Sequence, residues 1–309
     1  MHVVFGTGAL GAALIDELVA RGESVRAVNR SGTGDVPDGV DIRVGDVRNH
    51  SFAQAAASGA STVYFALNPP YHQWTELFPG LQESVIEAAT VAGAKLVALE
   101  NLYMYGVPQE DVLTETHPMA AETRKGRLRA EMHQRLMRAH EAGQIRVAAA
   151  RPSDYFGPRT VASAGDYRVF GRAMAGKTAR VLGNPNVPHT YTYTADVGRA
   201  LAVLGTDERS DGQVWHVPSP PPITASELVS RIAAAAGTTA KTTAVPRPIL
   251  RMIGLFNKPA GELVEMLYEF EQPFRMDSSK FETTFGIAAT PLGDAIEATV
   301  AWYRDNPPK

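Results

Sequence analysis

Residues Val3-Val4-Phe5-Gly6-Thr7-Gly8-Ala9-Leu10-Gly11 set G-x-G-x-x-G directly after a short apolar strand. A helix follows, with apolar residues at Leu10, Leu14 and Leu18. The three glycines have different jobs in such a turn. Gly6 permits the tight bend, Gly8 lets the backbone approach a pyrophosphate, and Gly11 lets the helix pack close to the strand. The phosphates then rest on the positive end of the helix, against N–H groups that have no intrahelical partner. Thr7, Ala9 and Leu10 complete the loop. A chain with 27 glycines meets the pattern by chance, so the strand before it and the helix after it are what select a dinucleotide site over a structural turn.

The residues ending the second predicted strand (Ser24–Asn29) choose between nicotinamide dinucleotides. An acid there would accept from a ribose 2′-hydroxyl and repel a 2′-phosphate. The chain has Asn29-Arg30-Ser31 instead, with Asn29 in the usual acidic position. Arg30 can fork onto a phosphate and stack on adenine. NADP is therefore expected over NAD. Asp46-Val47, after a third strand Asp41–Val44, fits the acid that contacts the adenine amino group.

These groups need a scaffold that brings strand ends together. Strands and helices alternate through the first half: a helix Ser51–Ser58, a strand Thr62–Leu67, a helix Thr75–Ala92, a strand Lys95–Glu100, a helix Glu122–Ala142 and a strand Ile145–Ala150. Such alternation predicts an α/β fold, a doubly wound parallel sheet with helices on both faces and ligands at the carboxyl ends of its strands. Ala66, Leu67 and Asn68, ending the fourth strand, are placed against the cofactor. Beyond residue 155 short strands (Arg180–Leu182, Thr190–Thr194, Val214–Val217) mix with helices at Asp196–Gly205, Ala225–Ala236, Gly261–Glu269 and Leu292–Asn306. The division expected is a core over residues 1–155 and a smaller C-terminal substrate lobe over 156–309, with about 190–205 returning to the core.

With Tyr105-Gly106, Arg151-Pro152, Gly157-Pro158, Tyr193–Val197 and Thr299–Tyr303 added to these motifs, the chain resembles the extended short-chain dehydrogenase/reductase superfamily, often labelled NAD-dependent epimerase/dehydratase. The likeness runs over nearly the whole length and implies a Rossmann-type core. Chemistry in that family depends on Tyr-x-x-x-Lys on the helix after the fifth strand, two side chains on one helical face. None of the ten tyrosines here has that lysine. Aligning Gly126 and Glu131 with the family's glycine and glutamate puts Lys125 in the tyrosine slot and Arg129 in the lysine slot. Asn101 stands where the family has its catalytic Ser or Thr.

Asn101-Leu102-Tyr103-Met104-Tyr105-Gly106 follows the fifth strand, where the nicotinamide should lie. Read as extended chain, Tyr103 and Tyr105 point the same way. Tyr105 matches a family tyrosine that is structural, so Tyr103 is the candidate proton donor, with Asn101 holding the carbonyl oxygen. Lys125 would hold the nicotinamide ribose or assist Tyr103; the alternative is tyrosines that merely line a pocket. His72 and Trp74 follow the fourth strand, His72 as a candidate acid/base group. Pro152 and Ser153 would back the nicotinamide amide. Asp154 would orient a base or serve a turn, and the segment from Pro188 to Tyr193 forms the far wall in family members. Trp74, Tyr103, Tyr155, Phe156 and Tyr191 predict an aromatic pocket for an apolar or planar substrate.

The whole composition narrows the classes. The 309 residues are 44% apolar and 20% charged, with a net charge of -3 and no run of like charge, which argues against nucleic acid and acidic membrane surfaces as partners. There are no cysteines, and the eight histidines show no H-x-x-x-H or H-E-x-x-H spacing, so no metal is expected. With a strand starting at His2 and no apolar run of spanning length, the chain reads as cytoplasmic. The expected function is an NADP-dependent oxidoreductase moving hydride between the nicotinamide and a carbonyl, C=C or C=N group of a small molecule. The alternatives are a catalytically silent NADP-binding sensor and a sugar-nucleotide epimerase or dehydratase. Family resemblance adds a homodimer through the long helices.

Overall fold

Valine, phenylalanine and alanine dominate the strands because a parallel sheet is buried on both faces. All four residues of β1 (His2–Phe5) are buried, and β4 (Thr62–Phe65) is the same. The computed structural model describes residues 1–161 and 163–307. With β2 (Val25–Asn29), β3 (Asp41–Val44), β5 (Lys95–Leu99), β6 (Val147–Arg151) and a last strand Gln213–His216, these form a seven-stranded sheet. Reading from the far edge, the order is β3-β2-β1-β4-β5-β6 and then Gln213–His216, every neighbour parallel. This is a Rossmann-type doubly wound sheet. Its strand order reverses between β1 and β4, so the ligand crevice is expected at their carboxyl ends.

The chain divides into two compact units. The first comprises residues 1–104, 124–151 and 197–217, the second 105–123, 152–196 and everything from Pro218 onward. In the first, helices α1 (Ala9–Ala20), α2 (His50–Ala57), α3 (Trp74–Ala92) and α4 (Arg124–Glu141) cover the sheet. Val3, Phe5, Val63, Phe65, Leu96, Ala98 and Val147 pack with Phe78, Val85, Leu128 and Leu136 in one continuous core. Asn49 caps α2 by accepting from the Phe52 N–H at 3.2 Å, and α3 ends at Gly93 in the left-handed conformation.

The second unit is built from three short strand pairs: Asp154–Phe156 with Tyr191–Tyr193, Ala179–Leu182 with Thr242–Val245, and Pro188–His189 with Ile223–Thr224. Helices Tyr167–Met174, Ala225–Ala236 and Leu292–Asp305 enclose a core of Phe156, Phe170, Tyr193, Val229, Ile232 and Ile296. The helix expected over Gly261–Glu269 is broken into Lys258–Glu262, a 3-10 turn Val264–Met266, and Tyr268–Glu271. Asn257 accepts from the Ala260 N–H at 3.1 Å and starts the first piece earlier than the apolar pattern suggests.

Candidate functional site

At the end of β1 the backbone turns through Gly6, whose φ of 108° suits glycine. A Cβ on Gly6 would strike the carbonyl of Ala66, just past β4, and one on Gly11 would strike the carbonyl of Gly6. Gly8 is different: a Cβ there would meet nothing within 4 Å. The space above Gly8 is open, and α1 begins there without a side-chain cap. Its first internal bond runs from the Ala12 N–H to the Gly8 carbonyl at 2.8 Å, which leaves the earlier N–H groups to a ligand. This loop fits a pyrophosphate.

Asn29 braces the next loop. Its Nδ2 donates to Thr7 Oγ1 and to the Thr33 carbonyl, both at 3.0 Å, and its Oδ1 accepts from the Gly32 N–H at 2.8 Å. Ser31 is held by Thr33 as well. Arg30 is exposed, and its side chain makes no hydrogen bond among the described residues. Asp46 has a partner already: Arg48 grips both carboxylate oxygens, and that contact, with a lesser one from Arg30, holds its carboxyl below the usual range. Val47 beside it is buried and its carbonyl accepts from Ser84 Oγ at 2.5 Å.

At the end of β5 the segment is not extended. Residues Tyr103–Tyr105 form a 3-10 turn, started by Asn101, whose Oδ1 accepts from the Tyr103 N–H at 3.3 Å. A 3-10 turn advances about 120° per residue, so Tyr103 and Tyr105 diverge. Tyr105 is fully buried and meets His117 edge-on. Tyr103 stays half-buried, its hydroxyl 3.4 Å from that of Tyr71. Lys125 Nζ lies over the Tyr71 ring, 4.4 Å from its centroid, a cation–π distance. Lys125 is thus linked to Tyr103 through Tyr71, a residue to which the sequence reading gave no role.

Four residues along α4 from Lys125, Arg129 is buried and donates to the Leu99 carbonyl at 3.3 Å, with its guanidinium carbon 5.1 Å from the Phe78 ring centroid. Its Nε finds no hydrogen-bond partner. Four further along, His133 Nδ1 stands 3.1 Å from Glu100 Oε1, and Arg151 Nε donates to Glu100 Oε2 at 2.8 Å. Burial alone would raise the Glu100 carboxyl. His133, Arg151 and Arg129 together outweigh it and hold the group down at about 2.

The sequence model of the NAD dependent epimerase/dehydratase family matches residues 2–217. This chain belongs to that family. Its members are extended short-chain dehydrogenase/reductase enzymes that work with a nicotinamide dinucleotide. Solved structures agree on the fold. The protein gox2253 superposes with a TM-score of 0.81 at 18% identity, over 99% of this chain and 98% of its own. The dTDP-glucose 4,6-dehydratase DesIV of Streptomyces venezuelae, with NAD bound, gives 0.79 at 17% identity over 99% and 97%. UDP-glucose 4-epimerase of Thermus thermophilus, also with NAD, gives 0.78 at 19% over 98% and 99%. No curated protein sequence matches detectably. No helix among the described residues is long and apolar enough to cross a membrane.

Two rings expected in the pocket belong to the packing of this family member. Trp74 is buried at the start of α3, donates from Nε1 to the Pro69 carbonyl at 3.1 Å and packs edge-on against Tyr71 and Phe78. Phe156 is fully buried, stacked on Phe170 in the core of the second unit. His72, on a one-turn 3-10 helix (Tyr71–Gln73), is exposed, as is Asn68, while Ala66 and Leu67 are half-buried. In the second unit Pro152 and Ser153 are buried. The Ser153 N–H donates to Thr192 Oγ1 at 3.0 Å, and its own hydroxyl finds no partner. Burial pushes the Tyr155 hydroxyl up to about 12, helped by Asp154, and the same two causes raise Tyr191 further. Asp154 Oδ2 lies 3.0 Å from Nε2 of His189.

Proposed function

We propose that this family member is an NADP-dependent reductase that delivers a proton through Tyr103 to a carbonyl, or a related C=C or C=N group, of a small and partly apolar substrate. The observation that carries this reading is the chain of contacts from Lys125 to Tyr71 to Tyr103, in the same unit as the open phosphate loop. The bound dinucleotide supplies the hydride. Gly8 and the start of α1 hold its pyrophosphate, and Arg30, whose side chain makes no hydrogen bond among the described residues, takes the 2′-phosphate that an acid at Asn29 would repel. Tyr103 donates the proton. Asn101, with its Oδ1 spent on the turn, has Nδ2 left to orient the substrate oxygen. The Tyr71 hydroxyl donates to that of Tyr103 and can hand on the replacement proton, and the Lys125 charge over the Tyr71 ring favours that donation.

A second reading, a sugar-nucleotide epimerase or dehydratase, draws on the dTDP-glucose and UDP-glucose enzymes with the same fold. It needs basic side chains for a second diphosphate. Of the four arginines that could serve, Arg159, Arg168, Arg172 and Arg180, two are engaged within the second unit, Arg168 with Asp166 at 2.7 Å and Arg172 with the Thr178 carbonyl at 2.5 Å, which counts against this reading.

The experiment is NADPH oxidation against a panel of aldehydes, ketones, enones and imines, with Tyr103→Phe beside the natural chain. Turnover by the natural chain should fall about 10²- to 10⁴-fold in the variant, the usual worth of a general acid, with NADPH affinity unchanged. A silent Tyr103→Phe would reassign the donor. No oxidation by any panel member, together with interconversion or dehydration of a nucleoside-diphosphate sugar, would establish the second reading instead.

A further inference from the structure

The second unit holds a pair of titratable groups that the reductase chemistry does not use. His189 is 2% exposed and its ring lies near-parallel to those of Phe270 and Phe274, at 5.0 and 5.5 Å between centroids. Tyr191 meets it at 4.8 Å. Both ring nitrogens are engaged. Nδ1 is 3.1 Å from the backbone carbonyl of Glu269, and Nε2 is 3.0 Å from Asp154 Oδ2.

Hydrogen-bond bookkeeping fixes the protons. A carbonyl oxygen can only accept, so Nδ1 carries a hydrogen and donates it. A neutral imidazole then has a bare Nε2. Facing a carboxylate oxygen at 3.0 Å, a bare Nε2 would set two acceptors against each other. One further proton must therefore lie between Nε2 and Oδ2, whichever atom it is bonded to, and the pair as a whole is neutral. Beside the pair, the Glu269 carboxyl is 2% exposed, burial raises it well above the ordinary value, and its Oε1 has no hydrogen-bond partner.

Asp154 is the part of this pair that a ligand can reach. Its side chain keeps 18% of its surface exposed, against 3% for His189. Its second oxygen, Oδ1, makes no hydrogen bond among the described residues. The groups around it that titrate are Tyr155, Tyr191 and Glu269, and burial favours the neutral form of all three. The result is one open acceptor oxygen in an aromatic surrounding.

We propose that Asp154 and His189 form a hydroxyl-binding dyad of the second unit in which Asp154 Oδ1 accepts from an alcohol group of a bound small molecule while His189, locked by the Glu269 carbonyl, holds the carboxylate in place. Asp154 is the contact residue and His189 a positioning residue. The ligand class is an alcohol on an aromatic or alicyclic body. The dyad involves none of Asn101, Tyr103 or Lys125, and it can be read without turnover.

The test is nuclear magnetic resonance on the intact chain with histidine labelled in its ring nitrogens, with benzyl alcohol as the probe and toluene as the control lacking a hydroxyl. At pH 7 both ring nitrogens of His189 should show attached hydrogens, or one attached and one strongly hydrogen-bonded. Benzyl alcohol should shift these signals, and should bind at least about tenfold more tightly than toluene, the scale of one hydrogen bond to a charged group. Asp154→Asn should convert His189 to the plain neutral form with hydrogen on Nδ1 and erase the preference for the alcohol. His189→Asn, which keeps Asp154, should weaken the preference without abolishing it, and serves if the first variant does not fold. A His189 signal with a bare, unshifted Nε2 in the natural chain would overturn the shared proton. Equal binding of toluene and benzyl alcohol would overturn the hydroxyl site. Either result can be obtained whether or not Tyr103→Phe affects reduction.

Discussion

Glu100 to glutamine is the substitution with the most calculable effect. The carboxylate is fully buried at the end of β5, flanked by Arg151 at 2.8 Å and His133 at 3.1 Å. Its folded value of about 2 lies below the ordinary 4.5 despite complete burial. Between those two values the unfolded chain binds a proton that the native state does not, so stability rises with pH across that window. The contribution is fully present above pH 4.5 and is lost as pH falls toward 2. A gap of this size corresponds to about 3 kcal/mol at neutral pH. By about pH 3 less than half of it should remain. Glutamine has nearly the shape of a protonated glutamic acid, so Glu100→Gln should lack the contribution at every pH.

Urea unfolding of both proteins, followed by tryptophan fluorescence between about pH 7 and pH 3, separates this group from the others. At neutral pH the variant should be less stable by about 3 kcal/mol, or roughly 5–10 °C in thermal midpoint. The difference should shrink to just over about 1 kcal/mol near pH 3. Other carboxylates held low, such as Asp41 and Asp207, are exposed and are common to both proteins, so they cancel. A difference that is constant with pH would refute the reasoning, because it would come from packing and not from the charge. A difference under about 0.5 kcal/mol at neutral pH would show that burial had already cancelled the attraction of the cations.

Arg30→Ala should weaken NADPH by one to a few kcal/mol in a fluorescence titration and leave NADH almost unchanged; an equal loss for both would make Arg30 a general contact. Gly8→Ala should keep the natural thermal midpoint, since its Cβ meets nothing within 4 Å, and yet lose dinucleotide affinity, whereas Gly11→Ala should lose stability because its Cβ meets the Gly6 carbonyl. Tyr71→Phe keeps the ring under Lys125 and removes the hydroxyl facing Tyr103, so turnover should drop while nucleotide affinity holds; a Lys125→Met variant that lowers affinity as well would place Lys125 on the ribose.

Most of the sheet was legible because burial on both faces writes an apolar run into each strand, as in Val3-Val4-Phe5 and Val97-Ala98-Leu99. The phosphate loop was legible because three glycines must serve three separate contacts. The losses have identifiable causes. The turn at Tyr103–Tyr105 reads as alternating apolar and aromatic residues, the signature of a strand, but the Asn101 side chain bends the backbone locally. Helix Tyr167–Met174 is only eight residues long and is started by Asp166, which accepts from the Arg168 N–H at 2.9 Å. Tyr71 lies just past two prolines, in a loop without periodicity. His189 and Asp154 are 35 residues apart; the parallel register of Tyr191 with Asp154 brings them together, and register between short strands is not written in either one alone.

Lys125, Arg129 and His133 recur every fourth residue and so share one face of α4. Arg129 stays charged and cannot pass a proton. These three side chains give the face charge and no hydroxyl. Glu100 stands between two cations, Arg151, which donates to it, and Arg129, whose charge helps hold its carboxyl low. Positive charge is thus fixed at the end of β5, in a buried surrounding where it acts strongly on negative charge developing on a nearby oxygen. A Tyr103 oxygen that had given up its proton would favour the charged form of Arg129. On the reductase reading, the proton comes from Tyr103 in the turn after β5, and the helix face is left to stabilise the oxygen that receives it.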